Sequence, residues 1–192
     1  MTPSPSSCPT PIPTPTPTPT LLLTPLSSIR DKQTALTILS HLNRLEKKTF
    51  PASEAFDFSD PNLWRKKPNT RILYATSPTT TPTNTNNNNN NIIAYAVYVR
   101  LRDTALLHKV CVAEGHRGKG VGRELMRQVV EERVGKGERG CRVVQLWVDE
   151  GRGVARRLYR GCGFEEVEWV RGYYGAGRGG VRMVREMGGV MG

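Results

Sequence analysis

Apolar residues recur along this chain with two different periods, and the alternation between them lays out the elements. Ala35, Ile38, Leu39, Leu42 and Leu45 follow one another at helical spacing, with Ser28 three residues before Asp31 in a capping arrangement. This predicts an amphipathic helix over residues 28–48, ending before Phe50-Pro51. Val121, Leu125, Met126, Val129, Val130 and Val134 mark one face of a second helix, stopped at Gly135-Lys136-Gly137. Val154, Ala155, Leu158 and Tyr159 fit a short third helix that ends at Gly161-Cys162-Gly163.

Strand-like runs fill the intervals. Residues 20–24 and 71–75 are candidate strands, as are residues 92–101 and 106–112, joined by a tight turn near Asp103. Residues 143–148 are almost continuously apolar, the pattern of a strand covered on both faces. Residues 164–170 and 181–186 close the series, and residues 51–68 read as an irregular connection carrying Phe56, Phe58 and Trp64. The order is strand, helix, three strands, helix, strand, helix, two strands. That order specifies an α/β domain on a mixed sheet.

Composition alters this picture at the ends and in one loop. Residues 1–20 hold eight prolines and six threonines, which favour an extended, solvated arm with little to bury. Residues 77–91 hold no core-forming side chain and end in a run of asparagine, which predicts a long loop between two strands. The expected division is an arm over 1–27, one domain over 28–187 and a short tail over 188–192, within a chain of 192 residues. Cys8, Cys111, Cys141 and Cys162 lie far apart without paired spacing, which argues for a reducing compartment and for neither a disulfide framework nor a metal site. No stretch approaches the roughly 20 apolar residues of a membrane span. A cytoplasmic or nuclear location is the expectation. The formal charge of +11 is spread along the chain, so it suits anionic ligands in general without selecting one.

The chemistry is carried by a loop. The strand ending at Val112 leads into Arg117-Gly118-Lys119-Gly120-Val121-Gly122, where the second helix begins. First-turn amides have no intrahelical acceptors, and the helix dipole favours an anion there. Glycine lets the backbone approach that anion, and Arg117 and Lys119 add positive charge. The site suits a pyrophosphate. Spacing excludes a Walker loop, which needs four residues between its first glycine and Gly-Lys-Ser/Thr, and a Rossmann fingerprint, because position 123 is arginine.

The loop instead matches Arg/Gln-x-x-Gly-x-Gly/Ala, the coenzyme A signature of the GNAT superfamily of N-acetyltransferases. Ala155-x-x-Leu158-Tyr159-x-x-x-Gly163-Phe164 resembles that superfamily's second coenzyme-contacting segment, at the expected distance downstream. The resemblance spans roughly residues 28–187 and is most similar to the RimI-like protein N-terminal acetyltransferases. It implies a mixed, twisted sheet with flanking helices and a cofactor cleft between two splayed parallel strands. It implies acetyl-CoA as cosubstrate, no metal, and direct attack by the amine without an enzyme nucleophile, so proximity and orientation supply much of the acceleration.

Carried over residue by residue, the resemblance places the pantetheine arm along Val110, Cys111 and Val112. The pyrophosphate falls on the amides of Arg117, Gly118, Lys119, Gly120, Val121 and Gly122, with Ala155 alongside. Arg152 stands where relatives carry asparagine, and either contact with a phosphate or a position in solvent is expected for it. Tyr159 matches the tyrosine that protonates the leaving thiolate; a phenol of pKa near 10 suits so basic a group. The positions where some relatives hold an ordered water on tyrosine and histidine are Leu106 and Trp147 here, and neither can serve. His108 shares a strand face with Leu106 by the two-residue period and is the candidate base.

Two further segments bear on the acceptor. Phe50, Pro51 and Ala52 resemble the loop that lines the pocket for a peptide's first side chain, and Tyr173-Tyr174 resembles the paired tyrosines that grip a peptide backbone. Gly177, Gly179 and Gly180 stand where relatives have other residues, which predicts a looser hairpin. A polypeptide amino group is therefore the expected acceptor, with lysine side chains or small amines as the alternative. A non-catalytic coenzyme A binder and a basic nucleic-acid binder are the readings from other classes; the second lacks a recognition helix or an RNP-type aromatic pattern.

Overall fold

Two apolar clusters, one on each face of a single seven-stranded sheet, form the core. The computed structural model describes residues 21–60, 64, 67, 69–76, 92–134 and 141–188. The expectations for residues 1–20, the loop 77–91, the glycine stop at 135–137 and residues 189–192 lie outside the described residues.

The strands are β1 (Leu22–Pro25), β2 (Thr70–Thr76), β3 (Ile92–Leu101), β4 (Thr104–Val112), β5 (Val143–Asp149), β6 (Glu165–Val170) and β7 (Gly180–Glu186), arranged β1-β2-β3-β4-β5-β7-β6. All neighbours are antiparallel except β4 and β5. Because β1 pairs with β2 and buries Leu21 and Leu23, the folded domain begins ahead of residue 28.

Helix α1 (Lys32–Thr49) covers one face with Ala35, Ile38, Leu39 and Leu42. Its cap is Asp31, whose carboxylate accepts the Thr34 N–H at 2.6 Å. The predicted start at Ser28 is too early: Ser28 belongs to a short 3-10 turn, Leu26–Ser28, and its hydroxyl donates to the Pro25 carbonyl at 2.7 Å. Helix α2 (Val121–Arg127) continues as a π-helical segment, Gln128–Val134, and helix α3 (Gly153–Arg160) lies on the same face. The expected apolar stripe of α2 is buried as predicted, from Val121 through Val134.

Two features of the sheet create the site. The parallel pair β4–β5 is registered only from Thr104↔Val143 to Leu107↔Leu146, although both strands run on. Beyond that point they part, and a cleft opens between them. The second feature is a β-bulge at His108, where the register with β3 steps from Tyr98↔Leu107 to Val97↔Lys109. The bulge carries Ala105 and Leu107 into the cluster under α2 and α3, but Cys111 into the cluster under α1. Strand β5 departs from expectation. Val144, Leu146 and Val148 are buried, whereas Val143, Gln145 and Trp147 are only half-buried, and of these three Trp147 lines the cleft.

Candidate functional site

The cleft at the β4–β5 divergence has a volume of about 350 Å³. Leu106, His108 and Val110 line it from β4, Trp147 and Asp149 from β5, and Ala155 and Tyr159 from α3. The sequence-predicted pair of His108 and Tyr159 is thus brought to one cavity. Burial pushes the Tyr159 phenol up to about 12, so it stays protonated at any ordinary pH. Desolvation, followed by the charges of Lys67 and Lys109, lowers the pKa of His108, which keeps its imidazole neutral near pH 7.

The glycine loop lies between the end of β4 and the start of α2. Arg117, Gly118, Lys119 and Gly120 are all exposed, and Gly118 and Gly120 have φ of +72° and +79°. A Cβ built on Gly118 would meet nothing within 4 Å, so the loop borders open space. The Arg117 Nε donates to the Val112 carbonyl at 3.0 Å and the Lys119 ammonium to the Gly115 carbonyl at 2.8 Å, which holds both cations beside the loop. Gly122 and Val121 play a different part. The Val121 side chain is in the core, and a Cβ on Gly122 would lie 3.2 Å from Leu158 Cδ2, so these two positions seat α2 against α3. Cys111 is also buried, its thiol donating to the Thr49 hydroxyl at 3.4 Å under α1. The Cys111 side chain therefore packs under α1 and does not line the cleft.

Arg152 is placed otherwise than expected. Its guanidinium donates to Glu54 at 3.0 Å and lies 4.8 Å from the centre of the Phe50 ring, so it lines the cleft beside the loop after α1. The nearest strong anion is the Glu54 carboxylate, and that decides where the side chain points.

The loop after α1 also differs in detail. Phe50 lines the cleft, but Pro51 and Ala52 are exposed, and the remaining lining comes from Ser53, Glu54 and Phe56. The cause is a turn in which the amides of Glu54 and Ala55 both donate to the Pro51 carbonyl at 2.9 Å. It is anchored from below by Glu46, a fully buried carboxylate that accepts the Phe56 N–H at 2.9 Å, and by Lys109, which donates to the Glu54 carbonyl at 2.6 Å.

Opposite this loop stands the hairpin between β6 and β7. Tyr173 stacks on Trp147 with centroids 4.2 Å apart and planes at 11°, and Tyr174 packs edge-on against Tyr173 at 4.9 Å. Two of the three glycines expected to loosen this hairpin, Gly179 and Gly180, instead let it pack closely. A Cβ on Gly180 would come within 2.7 Å of the Tyr173 side chain, so only glycine admits that ring. Arg178 closes the turn, donating to Glu54 at 2.5 Å and, through Nε, to Asp149 at 2.7 Å.

Glu46, Glu54, Lys109, Asp149 and Arg178 also belong to the site, and no sequence motif marks them. Glu54 and Arg178 are 124 residues apart, and a pair so distant leaves no local pattern. Only Glu46 left a trace: it falls on the buried stripe of α1, four residues after Leu42. Among the described residues no cluster of three or more His, Cys, Asp or Glu is placed to hold a metal ion.

A splayed parallel pair, a glycine loop leading into a helix, and a tyrosine on the next helix define a coenzyme A-dependent acyltransferase fold. The chain belongs to the acetyltransferase (GNAT) family, whose model matches residues 40–164. It is 35% identical over 75 residues to an uncharacterized N-acetyltransferase of Methanocaldococcus jannaschii, a stretch covering 39% of this chain and 32% of that protein. The match thus spans about a third of that relative's length. The fold is shared with the ribosomal-protein-S18-alanine N-acetyltransferase of Escherichia coli (TM-score 0.60, 19% identity, 86% of this chain and 94% of that one). It is also shared with Arabidopsis thaliana NAA60 in complex with a bisubstrate analogue (TM-score 0.70, 17% identity, 88% and 99%).

Proposed function

We propose that this protein transfers an acetyl group from acetyl-CoA to a primary amine, the α-amino group of a polypeptide fitting the cleft best. The observation that carries the reading is the meeting of the protonated Tyr159 with the β4–β5 divergence in one cavity, on the strand that leads into the exposed loop at Gly118 and Gly120. Residues 117–120 with the first-turn amides of α2 would hold the pyrophosphate, and the free edge of β4 at Val110 and Val112 the pantetheine arm. Bound acetyl-CoA supplies the activated thioester carbonyl.

The chain's own residues do the rest. The neutral His108 imidazole accepts the ammonium proton, directly or through water, and the Tyr159 hydroxyl gives a proton to the departing sulfur. Trp147 and Tyr173 exclude water from the acceptor end, and Phe50 and Phe56 provide an apolar surface for the first side chain.

Support against a nucleic-acid role comes from the arginines of the C-terminal half. Arg156 and Arg160 pair with Glu166, Arg182 with Glu168 and Arg185 with Glu131. A surface whose cations are compensated this way makes a poor phosphate track. The test is titration calorimetry with acetyl-CoA, followed by acetylation of a library of peptides with free N-termini. Saturable acetyl-CoA binding and a preference for peptides over blocked or lysine-only ones is the expected result. No binding of any acyl-CoA overturns the reading.

A further inference from the structure

The acceptor end of the cleft contains carboxylates, yet it offers a substrate no net negative charge. Glu54 from the loop after α1 and Asp149 at the end of β5 both line it. Arg178 donates to each of them, and Arg152 takes the second oxygen of Glu54. Below, Lys109 lies 3.2 Å from the buried Glu46. Three carboxylates are therefore balanced by three fixed cations, and apart from Ser53 and His108 the rest of the lining is largely aromatic or aliphatic, with Phe50, Phe56, Leu106, Trp147 and Tyr173. A substrate that brought a second cation into this space would give up its hydration, find both carboxylates already paired, and face Arg152 and Lys109 at close range.

We propose that Arg178 is the specificity-determining residue of the acceptor site. By occupying Glu54 and Asp149 it admits an amine whose only positive charge is the reacting ammonium, carried beside an apolar first side chain. It turns away acceptors with a second cation nearby, such as polyamines or peptides beginning with lysine. This inference rests on the acetyl-transfer reading above and concerns only its acceptor half.

Arg178 is well placed for such a role because it lies outside both apolar clusters of the core. It projects from a turn flanked by Gly177 and Gly179, and its side chain is 37% exposed. Removing the guanidinium strips Asp149 of this cation and leaves Glu54 paired with Arg152 alone, so an incoming ammonium could replace the missing charge.

The test compares two peptides that differ only in the first residue, lysine or its uncharged near-isostere norleucine, with the acetylated position assigned by mass spectrometry. Wild-type protein is expected to favour norleucine in kcat/KM. In Arg178→Gln the lysine-to-norleucine ratio should rise at least tenfold, through KM for the peptide. Acetyl-CoA affinity, measured on the same preparations by calorimetry, should stay unchanged. Adding Glu54→Gln and Asp149→Asn to that variant should cancel the gain, which a general loosening of the hairpin would not do.

An unchanged ratio in Arg178→Gln with acetyl-CoA binding intact overturns the inference and leaves the acetyl-transfer reading standing. Failure of the wild type to bind acetyl-CoA overturns the reading itself. Binding without turnover of either peptide overturns the acceptor assignment and this inference together.

Discussion

The Lys109 ammonium sits 3.2 Å from the Glu46 carboxylate and 3.7 Å from the centre of the Phe50 ring, so one cation joins a fully buried acid to the wall of the acceptor cleft. Burial raises the Glu46 pKa despite the opposing effects of the Phe56 amide and Lys109, and one of its oxygens has no hydrogen-bond partner. The pair is therefore a demanding arrangement whose parts depend on each other. Lys109→Met should destabilise the fold by about 3–5 kcal/mol, the range for stripping one partner from a buried ion pair. Adding Glu46→Gln keeps an oxygen for the Phe56 N–H and removes the stranded charge, so the double variant should recover most of the loss. Urea unfolding of the two variants checks this; equal losses in both would mean the ammonium acts through packing alone.

The glycine loop separates binding from packing. Gly120 caps α2 with φ of +79°, where a side chain costs about 1–2 kcal/mol. Gly120→Ala should weaken acetyl-CoA roughly tenfold, as the loop relaxes away from its left-handed turn, with little change in unfolding free energy. Gly122→Ala should do the reverse. Its new methyl presses on Leu158, so stability falls by about 1 kcal/mol while affinity holds. Calorimetry and thermal melting on the same two variants distinguish the roles, and parallel losses would contradict the division.

Acid stability offers a third measurement. The Arg156 guanidinium, then Arg160, hold the Glu166 carboxyl down to about 2 against an ordinary 4.5. A depressed carboxyl stabilises the fold above its unfolded pKa, and that contribution disappears as the pH falls through the folded value. The difference in unfolding free energy between wild type and Glu166→Gln should thus be constant above about pH 5 and shrink between 4.5 and 2. The group is exposed, so the effect is a surface one and should weaken in high salt.

What could be read from the sequence divides along physical lines. Elements whose signal is local were legible: the stripe from Ala35 to Leu42, the strands flanking the turn at Asp103, and the glycine loop entering α2 all stand close to where periodicity puts them. Single-residue shifts of register were not. The bulge at His108 leaves no mark in the alternation around it, yet it decides that Cys111 packs under α1. The acceptor wall was half legible. Phe50 and the two tyrosines lie in the cleft, whereas the turn at Pro51 exposes two of the three loop residues expected there. The charged lattice of Glu54, Asp149, Arg152 and Arg178 was invisible, because each member sits in a loop or at an element's end and meets its partners only in three dimensions.

Tyr159 bears the most direct prediction about chemistry. It lies in the last turn of α3 beside Phe164, with ring centroids 6.1 Å apart, and its ring is part of the core under the cleft. Phenylalanine keeps that packing, so Tyr159→Phe should fold and melt nearly as wild type does and should bind acetyl-CoA unchanged. If its hydroxyl protonates the leaving sulfur, kcat should fall roughly 100-fold, the low end of general acid catalysis. With the phenol at about 12, its ionisation lies beyond the working range, so the wild-type pH–rate profile should show no descending limb below about pH 10. The ascending limb should instead follow His108, at a pKa below its ordinary value, and should persist in Tyr159→Phe because the two groups act on different protons. A variant rate equal to wild type across that pH range would remove Tyr159 from the proton-donor role and leave it a packing residue.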